Sequence, residues 1–234
     1  MQVVILAGGL ATRLGELTKK HPKSMVKILD KPFLAYQLEL LRASGIIDIV
    51  LCIGHLGIEI MDTFGDGSKF GVHIRYSIEN KPLGTAGALK HAASMLGNTF
   101  FVMYGDSYLF LDFPQVMSYF LSQNKLGLVT VFNNHNLYDR SNIVINGNMI
   151  TKYSKVEKSK DMVYIDYGAS ILKKEALQLI PENHPYSLED LFIRLIEQKQ
   201  LLAFEVKHRF YEIGSPQGLK NFEAFVKEQR STKS

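Results

Sequence analysis

The N-terminal stretch constrains this chain more than any other part of the sequence. Residues 3–6 are apolar and mostly β-branched, without polar alternation, which is typical of a strand buried in a parallel sheet. Gly8 and Gly9 follow at once, and because they lack a Cβ the backbone can turn sharply and expose its N–H groups to an anion. Arg13 and Lys23 then add two positive charges. A strand, a glycine turn and two cations together predict a polyphosphate site.

Two common glycine motifs do not fit this stretch. A dinucleotide fingerprint requires a glycine two residues after Gly8, where this chain has Leu10. A Walker A loop ends in Gly-Lys-Ser/Thr, and that ending does not occur after the glycines. A bare Gly-Gly pair is about equally often a ligand-binding turn and a tight strand-to-helix turn without a ligand. The specificity of the prediction therefore depends on the longer string that ends at Lys23.

Composition limits the classes of protein to which the chain can belong. Its 234 residues are enough for one large α/β domain or two small ones, and 46% of them are hydrophobic, as in ordinary globular proteins. The single cysteine, Cys52, cannot form an internal disulfide, so we expect a buried thiol and a cytoplasmic protein. No signal peptide and no membrane span are recognisable. The net charge of +4 is scattered among acidic residues, so neither nucleic acid nor membrane is an expected partner.

The order of predicted elements indicates an α/β fold. Apolar periodicity predicts strands at 3–6, 46–53, 72–76, 99–104 and 126–132, separated by helices at 33–44, 57–64, 84–96 and 113–123. Strands that alternate with helices form βαβ units and a mostly parallel sheet. The second half changes character, with a hairpin at 143–153, strands near 162–172, 201–206 and 210–213, and helices that begin at Ser187 and near Pro216. We expect the last helix to end near residue 227.

The string from Leu6 to Lys23 resembles the signature of the sugar-1-phosphate nucleotidyltransferases, which is approximately L-A-G-G-x-G-T-R-L-x-x-x-T-x-x-x-P-K. The matching positions are Gly8, Gly9, Thr12, Arg13, Leu14, Thr18, Pro22 and Lys23. Ala11 departs from the pattern, because the family usually has a third glycine there. The resemblance implies a Rossmann-like three-layer α/β/α fold with a mostly parallel mixed sheet and a small β-rich elaboration. It implies one domain over 1–234, with a nucleotide-binding half at about 1–132, a sugar-phosphate-binding half at about 133–227 and a frayed tail at 228–234.

A second match, the loop Pro-Leu-Gly-Thr-Ala-Gly at residues 82–87, lies on the nucleotide base and ribose in that family. The nucleotide-binding residues that the resemblance implies are Leu6, Ala7, Gly8, Gly9, Thr12, Pro82, Gly84 and Thr85. The sequence of this loop is most similar to the corresponding sequence of guanylyltransferases for mannose or heptose 1-phosphates. A uridylyltransferase for N-acetylmuramate 1-phosphate resembles it nearly as well. The alternative is an ordinary loop punctuated by glycine and proline.

Two carboxylates are candidate ligands for Mg²⁺. Asp106 follows a predicted strand, and ligands of parallel sheets bind beyond the carboxyl ends of strands. An isolated Gly-Asp is more often a turn, but the family has a metal-binding aspartate at this position. Its second metal ligand is an aspartate in a late segment, aromatic-x-D-x-G-[TS]-P, where this chain has Glu212. A glutamate that faces solvent on an edge strand is the alternative.

The sugar-phosphate subsite is matched only in part. The family has a Glu-Lys pair after its hairpin, and this chain has Ser154 followed by Lys155. Asp166 and Gly168 stand where the family has Asn-x-Gly facing the sugar. The resemblance therefore implies that Lys155, Asp166 and Gly168 bind the sugar phosphate, although an exposed lysine without a ligand is equally compatible with the sequence. None of the histidines, including His55, shows metal-ligand spacing.

The implied reaction joins a nucleoside triphosphate to a sugar 1-phosphate and releases pyrophosphate, with Mg²⁺ as cofactor and with Arg13, Lys23 and Asp106 as catalytic residues. The expected partners are these small molecules and, in addition, a second copy of the chain. Regulation by a C-terminal β-helix domain is not expected. Two other classes stay open: a non-catalytic regulatory homologue that binds nucleotide sugars, and a phosphocholine-type cytidylyltransferase.

Overall fold

A mixed β-sheet with helices on both faces forms the frame of the molecule. The computed structural model describes residues 1–9, 21–54, 56–157, 159–182 and 184–231. The strands are β1 (Gln2–Leu6), β2 (Lys27–Ile28), β3 (Lys31–Pro32), β4 (Asp48–Ile53), β5 (His73–Ile78), β6 (Thr99–Tyr104), β7 (Ser107–Tyr108), β8 (Gly127–Asn133), β9 (Ile143–Asn146), β10 (Met149–Tyr153), β11 (Tyr164–Lys173), β12 (Leu201–Val206) and β13 (Tyr211–Glu212). The α-helices are α1 (Phe33–Ala43), α2 (Gly57–Phe64), α3 (Gly84–His91), α4 (Phe113–Ser122), α5 (Leu188–Glu197) and α6 (Pro216–Ser231).

The main sheet divides into a parallel part and a largely antiparallel part. Within the described residues its order is β5-β4-β1-β6-β11-β8-β12-β10-β9. The pairs β4–β5, β1–β4 and β1–β6 are parallel, as the βαβ pattern of the first half predicts. Beyond β6 the pairs are antiparallel except for β8–β12. The mixed α/β sheet is therefore confirmed, and its parallel character is concentrated in the first half of the chain.

Alternation along β1 shows how the three layers arise. Val3 and Ile5 are fully buried in one apolar cluster, whereas Val4 is fully buried in the cluster on the opposite face. Successive side chains of a strand point to opposite faces, so an all-apolar strand requires cover on both. Helices α1, α2 and α4 cover the first face, and α3 and α5 cover the second. The predicted three-layer arrangement is confirmed.

The elements of the second half also follow the sequence. The hairpin β9–β10 turns at Gly147, whose φ of +59° suits a residue without a Cβ. Helix α5 begins with a reciprocal capping box, in which Ser187 and Asp190 each accept a hydrogen bond from the other's backbone N–H. The predicted cap at Ser187 is confirmed.

Two helix ends differ from the sequence prediction. Helix α3 ends at His91, and a 3₁₀ turn at Ala93–Met95 replaces the last predicted turn. The last helix continues to Ser231, four residues beyond the predicted end near residue 227. Arg230 forms an ion pair with Asp30 at 2.5 Å, which links the end of α6 to the β2–β3 turn. Residues 232–234 lie outside the described residues.

Within the described ranges, none of the helices has the length and apolar character that would be needed to cross a bilayer.

Candidate active site

A cavity of about 410 Å³ opens beyond the carboxyl ends of β1, β4 and β6. The ends of these strands are joined by backbone hydrogen bonds from Ala7 N to Cys52 O (2.9 Å) and from Gly105 N to Leu6 O (3.0 Å). The cavity therefore lies where parallel sheets bind ligands. The residues predicted from the sequence that line it are Leu6, Ala7, Gly8, Gly9, Lys23, Pro82, Gly84, Thr85 and Asp106. The predicted Thr12 and Arg13 lie outside the described residues.

An ion pair connects the two charged residues of this cavity. Lys23 begins a 3₁₀ turn directly after Pro22, and its Nζ lies 2.5 Å from Asp106 Oδ2. The two side chains are 20% and 33% exposed, so the pair is open to a ligand but partly shielded from water. Ser107 Oγ donates to the other Asp106 oxygen at 3.2 Å. The structure thus brings together two predicted catalytic residues that are far apart in the sequence.

Glu212 lies beside this ion pair without lining the cavity. Its strand, β13, pairs with β7 so that Glu212 is opposite Ser107. The Glu212 carboxylate accepts hydrogen bonds from Gly214 N and from Ser215 Oγ (2.7 Å). A Cβ on Gly214 would lie 2.6 Å from both Glu212 Oε2 and Lys23 Nζ, so carboxylate and ammonium meet at this glycine.

The residues around Asp106 fit a hard divalent cation. The Lys23 ammonium already occupies a cation position against Asp106, next to the Glu212 carboxylate. Among the described residues no group of three or more His, Cys, Asp or Glu side chains forms a complete ligand set. Magnesium does not need such a set, because it binds through one or two carboxylates and takes substrate phosphates and water as its other ligands. The Glu212 carboxylate accepts one hydrogen bond on each oxygen, from Gly214 N and Ser215 Oγ, so each oxygen keeps a lone pair for a metal ion.

The loop before α3 is held by a backbone contact across the molecule. Gly84 has a φ of +75°, and a Cβ there would lie 2.6 Å from Tyr186 O. The N–H groups of Ala86 and Gly87 donate to that same carbonyl at 2.9 and 3.1 Å. Thr85 Oγ1 accepts from Leu188 N at 2.7 Å. Glycine at position 84 therefore permits both the left-handed turn and the close approach of the segment before α5.

Glu79 is a cavity residue that the sequence analysis missed. It lies at the end of β5, lines the cavity, and accepts a hydrogen bond from Leu83 N at 3.1 Å through Oε2. Burial raises the pKa of its carboxyl, and the hydrogen bond from Leu83 opposes that change. It stands three residues before Pro82, and this position alone does not indicate which way its side chain points. Cys52 lines the same wall, and burial raises the pKa of its thiol to about 12, which confirms a buried, unreactive cysteine.

On the sugar-phosphate side, Lys155 lies beside the cavity rather than in its wall. Its Nζ is 5.2 Å from the centroid of the Tyr104 ring, and Tyr104 itself lines the cavity. Asp166 lies beneath these residues and accepts hydrogen bonds from Tyr153 Oη (2.8 Å) and Tyr104 Oη (3.4 Å). Burial raises the pKa of the Asp166 carboxyl, and the Lys155 charge opposes the shift.

Gly168 has a backbone role in the same region. Its N–H donates to Asp166 Oδ1 at 2.9 Å, and the register of β11 against β8 shifts between Asp166 and Ser170. Gly168 has a φ of +105°, and a Cβ there would lie 3.1 Å from the Ser107 side chain. A bulge at Gly168 therefore lets β11 approach the residue that follows Asp106. Asp166 and Gly168 lie near Tyr104, but neither lines the cavity that contains Lys23 and Asp106.

Comparison with known proteins agrees with this geometry. A helix-flanked mixed sheet with a charged cavity beyond its parallel strands defines the chain as an α/β protein whose cavity lies where this fold class binds ligands. The nucleotidyl transferase family matches residues 2–229, and the chain belongs to this family.

The relatives include several sugar-1-phosphate enzymes. The chain is 30% identical to D-glycero-alpha-D-manno-heptose 1-phosphate guanylyltransferase of Campylobacter jejuni, over 95% of this chain and 98% of that protein. It is 32% identical to mannose-1-phosphate guanyltransferase 2 of Candida glabrata, over 92% of this chain and 62% of that protein. It is 34% identical to UTP--glucose-1-phosphate uridylyltransferase of Synechocystis, over 84% of this chain and 55% of that protein. The chain therefore spans less than two thirds of the length of some relatives.

Among solved structures, HddC from Yersinia pseudotuberculosis complexed with GMP-PN matches with a TM-score of 0.78 and 28% identity, over 94% of this chain and 96% of that one. The expected nucleotide-diphospho-sugar transferase fold is thereby confirmed. Nucleotidyltransferases of this family generally use a divalent metal.

Proposed function

We propose that this chain transfers a nucleoside monophosphate from a nucleoside triphosphate to a sugar 1-phosphate and releases pyrophosphate. The observation that carries the proposal is the Lys23–Asp106 pair in a cavity beyond three parallel strands, with Gly8 and Gly9 in its wall. This arrangement offers backbone N–H groups, an ammonium and a carboxylate to the same ligand. Family membership and the names of the relatives support the same reaction.

The chemistry requires positioning and charge stabilisation rather than a protein nucleophile. A sugar-phosphate oxygen attacks the α-phosphorus, a new P–O bond forms, and the bond to pyrophosphate breaks. In this proposal Arg13 binds the triphosphate and the departing pyrophosphate, and Lys23 neutralises the reacting phosphates once it leaves Asp106. Asp106 and Glu212 would hold Mg²⁺, which supplies charge neutralisation and a template for the phosphates. Lys155 anchors the sugar phosphate from beyond Tyr104.

Guanine is the proposed base, with uracil as the alternative. Glu79 presents a carboxylate in the cavity wall beside Gly8 and the 82–87 loop. Carboxylates accept from N–H donors, and guanine carries a ring N–H and an exocyclic amino group, whereas uracil carries a single ring N–H. The guanylyltransferase relatives and the HddC complex support guanine, and the Synechocystis relative supports uracil. A manno-configured hexose or heptose is the proposed sugar, on the names of the relatives alone.

A pyrophosphate-release assay tests the function. Four nucleoside triphosphates are crossed with mannose, heptose, glucose and N-acetylmuramate 1-phosphates and with phosphocholine, each with Mg²⁺. We expect turnover with GTP and a mannose- or heptose-type phosphate. A clear preference for UTP would overturn the proposal of guanine as the base. Turnover only with CTP and phosphocholine would overturn the proposal of a sugar 1-phosphate as the second substrate. Tight binding of nucleotide sugars without any turnover would establish the regulatory homologue instead.

The proposed metal site has its own test. Asp106→Asn and Glu212→Gln each remove a negative charge with little change in shape, and Glu223→Gln, which removes an exposed charge on α6, is the matched control. We expect both site variants to lose turnover by roughly 10²-fold and the control to keep it. Glu212→Asp is not expected to exceed wild-type turnover, because the turn at Gly214 is built around the longer side chain. Wild-type turnover and Mg²⁺ dependence in Glu212→Gln would remove Glu212 from the site.

A cytoplasmic location, small-molecule substrates as the partners, and self-association into a homo-oligomer complete the proposal. Gel filtration combined with light scattering measures the oligomeric state.

A further inference from the structure

A short segment before and at the start of α5, residues 186–189, contacts both predicted substrate regions. On one side it holds the nucleotide loop: Tyr186 N donates to Leu83 O at 2.8 Å, and Leu188 N donates to Thr85 Oγ1 at 2.7 Å. The carbonyl of Tyr186 accepts from two further N–H groups of that loop. We call residues 186–189 the bridging segment.

On its other side the bridging segment reaches the predicted sugar-phosphate lysine. Glu189 Oε1 accepts a hydrogen bond from Lys155 N at 2.8 Å. The next two backbone N–H groups, those of Val156 and Glu157, donate to Ser154 Oγ at 3.2 and 3.0 Å. Glu189 is therefore the side chain that fixes the backbone of Lys155 itself, while Ser154 shapes the turn that follows.

The way in which Glu189 contacts Lys155 leaves the lysine charge available. The carboxylate binds the backbone N–H, and among the described residues the Lys155 ammonium takes part in no ion pair. A carboxylate paired with that ammonium would compete with a phosphate for it. A carboxylate on the backbone N–H instead fixes the Lys155 backbone without occupying the ammonium, so less backbone freedom is lost when the lysine binds a ligand.

We propose that Glu189 is a positioning residue for Lys155, and that the bridging segment couples the sugar-phosphate subsite to the nucleotide loop. The kinetic consequence of this inference rests on the proposed function. The structural part is independent of that function, because it requires only that Glu189 holds the Lys155 backbone and that α5 is fixed against Thr85.

The kinetic test compares Glu189→Ala with Glu189→Gln and with the control Asp190→Ala. Alanine removes the acceptor, so we expect KM for the sugar 1-phosphate to rise about fivefold, the effect of one hydrogen bond, with kcat and KM for the nucleotide nearly unchanged. Glutamine keeps an acceptor oxygen and is expected to restore most of the affinity. Asp190→Ala breaks the capping box and lowers Tm, but it leaves the contact with Lys155 in place and should not change this KM.

The coupling is tested by Thr85→Val alone and together with Glu189→Ala. Because both changes act on the same segment, we expect their effects on KM for the sugar 1-phosphate to be clearly non-additive. Additive effects would overturn the coupling. If Glu189→Ala leaves KM for the sugar 1-phosphate within twofold of wild type, the positioning role is wrong.

Hydrogen exchange separates failure of this inference from failure of the proposed function. The exchange rate of the Lys155 amide, measured by NMR without substrate, should rise several-fold in Glu189→Ala and stay near the wild-type rate in Glu189→Gln and Asp190→Ala. Unchanged exchange in Glu189→Ala would overturn the inference even if the enzyme turns over. Faster exchange in Glu189→Ala, together with a wild-type protein that shows no turnover with any substrate pair, would support this inference and contradict only the proposed function.

Discussion

The proposed nucleotide region and the proposed sugar-phosphate region of this molecule are held in place by different kinds of contact. Around Leu6 and Asp106 the geometry comes from the backbone of parallel strands and from fully buried apolar residues such as Val4 and Ile5. Around Lys155 and Asp166 it comes from side chains, with hydrogen bonds from two tyrosines and an acceptor from α5.

This difference teaches where a single substitution is expected to act. A site built from strand ends keeps its shape as long as the sheet forms, so changes there act through charge. A site built from side-chain hydrogen bonds changes shape when one partner changes. A small number of substitutions is therefore enough to alter sugar recognition, whereas the shape of the phosphate site is expected to stay constant.

The largest expected effect is the loss of charge in the nucleotide region. Lys23→Ala should lower turnover by roughly 10²-fold or more, because it removes a preorganised cation from the reacting phosphates. We expect the same of Arg13→Ala. Lys27→Ala, an exposed lysine four residues away, serves as the control and should keep wild-type turnover. Steady-state kinetics measure turnover in those variants whose circular dichroism spectrum is unchanged. Near-normal turnover in Lys23→Ala would remove this residue from the mechanism.

The contrast between the two regions would be weakened if a single side chain determined the geometry of the nucleotide region. Gln37 is the strongest candidate for such a side chain. It is fully buried on α1, and its Nε2 donates to Tyr104 O (2.9 Å) and Ser107 O (2.8 Å) on either side of Asp106. Gln37→Leu should lower the free energy of unfolding by about 2 kcal/mol, since it leaves buried carbonyls unsatisfied.

If the sheet alone positions Asp106, the Gln37→Leu variant keeps the wild-type Mg²⁺ concentration for half-maximal turnover. A large increase in that concentration would mean that Gln37 also shapes the site. Gln217→Leu, on the exposed face of α6, is the control for the chemical change and should leave stability nearly unchanged.

Lys155→Met sharpens the comparison on the sugar-phosphate side. The long apolar side chain keeps the packing over Tyr104 but removes the charge. We expect KM for the sugar 1-phosphate to rise roughly tenfold, as for one hydrogen bond to a charged group, with a smaller change in kcat. A fall in kcat as large as that of Lys23→Ala would show that the two regions do not differ in this way.

The smallest expected effect concerns Asp166 and depends on pH. Burial raises the pKa of this carboxyl in the folded protein above the ordinary value of 3.8, so the folded state keeps the proton to higher pH than the unfolded chain. Between the two pKa values stability falls as pH rises. Asp166→Asn removes that loss, so the variant should gain stability relative to wild type as pH rises above 3.8. Urea unfolding from pH 4 to pH 8 measures this difference, and a difference that does not change with pH would contradict the predicted titration.

The sequence predicted the elements and residues whose signal is local. Apolar runs, and the glycine and aspartate residues that end them, were enough to predict strand β1, the glycines after it, and Asp106 just after β6. Glu79 and Gln37 were not predictable, because their roles depend on which way a side chain points after distant strands pair. The same holds for the end of α6, where Arg230 contacts a residue 200 positions earlier in the chain. For Asp166, the position near Lys155 was predicted, but its hydrogen bonds to Tyr104 and Tyr153 required the structure.

The position of β12 in the sheet bears on how the protein folds during synthesis. This strand lies between β8 and β10, although it comes some fifty residues after β10 in the sequence. Ribosomes add about 5–20 residues per second, so β1, β4, β5 and β6 can pair seconds before β12 leaves the exit tunnel. Until then β8 and β10 each present an unpaired edge, which is the kind of surface on which chains associate wrongly. The late-formed half of the sheet therefore keeps two strand edges unpaired until β12 has been synthesised.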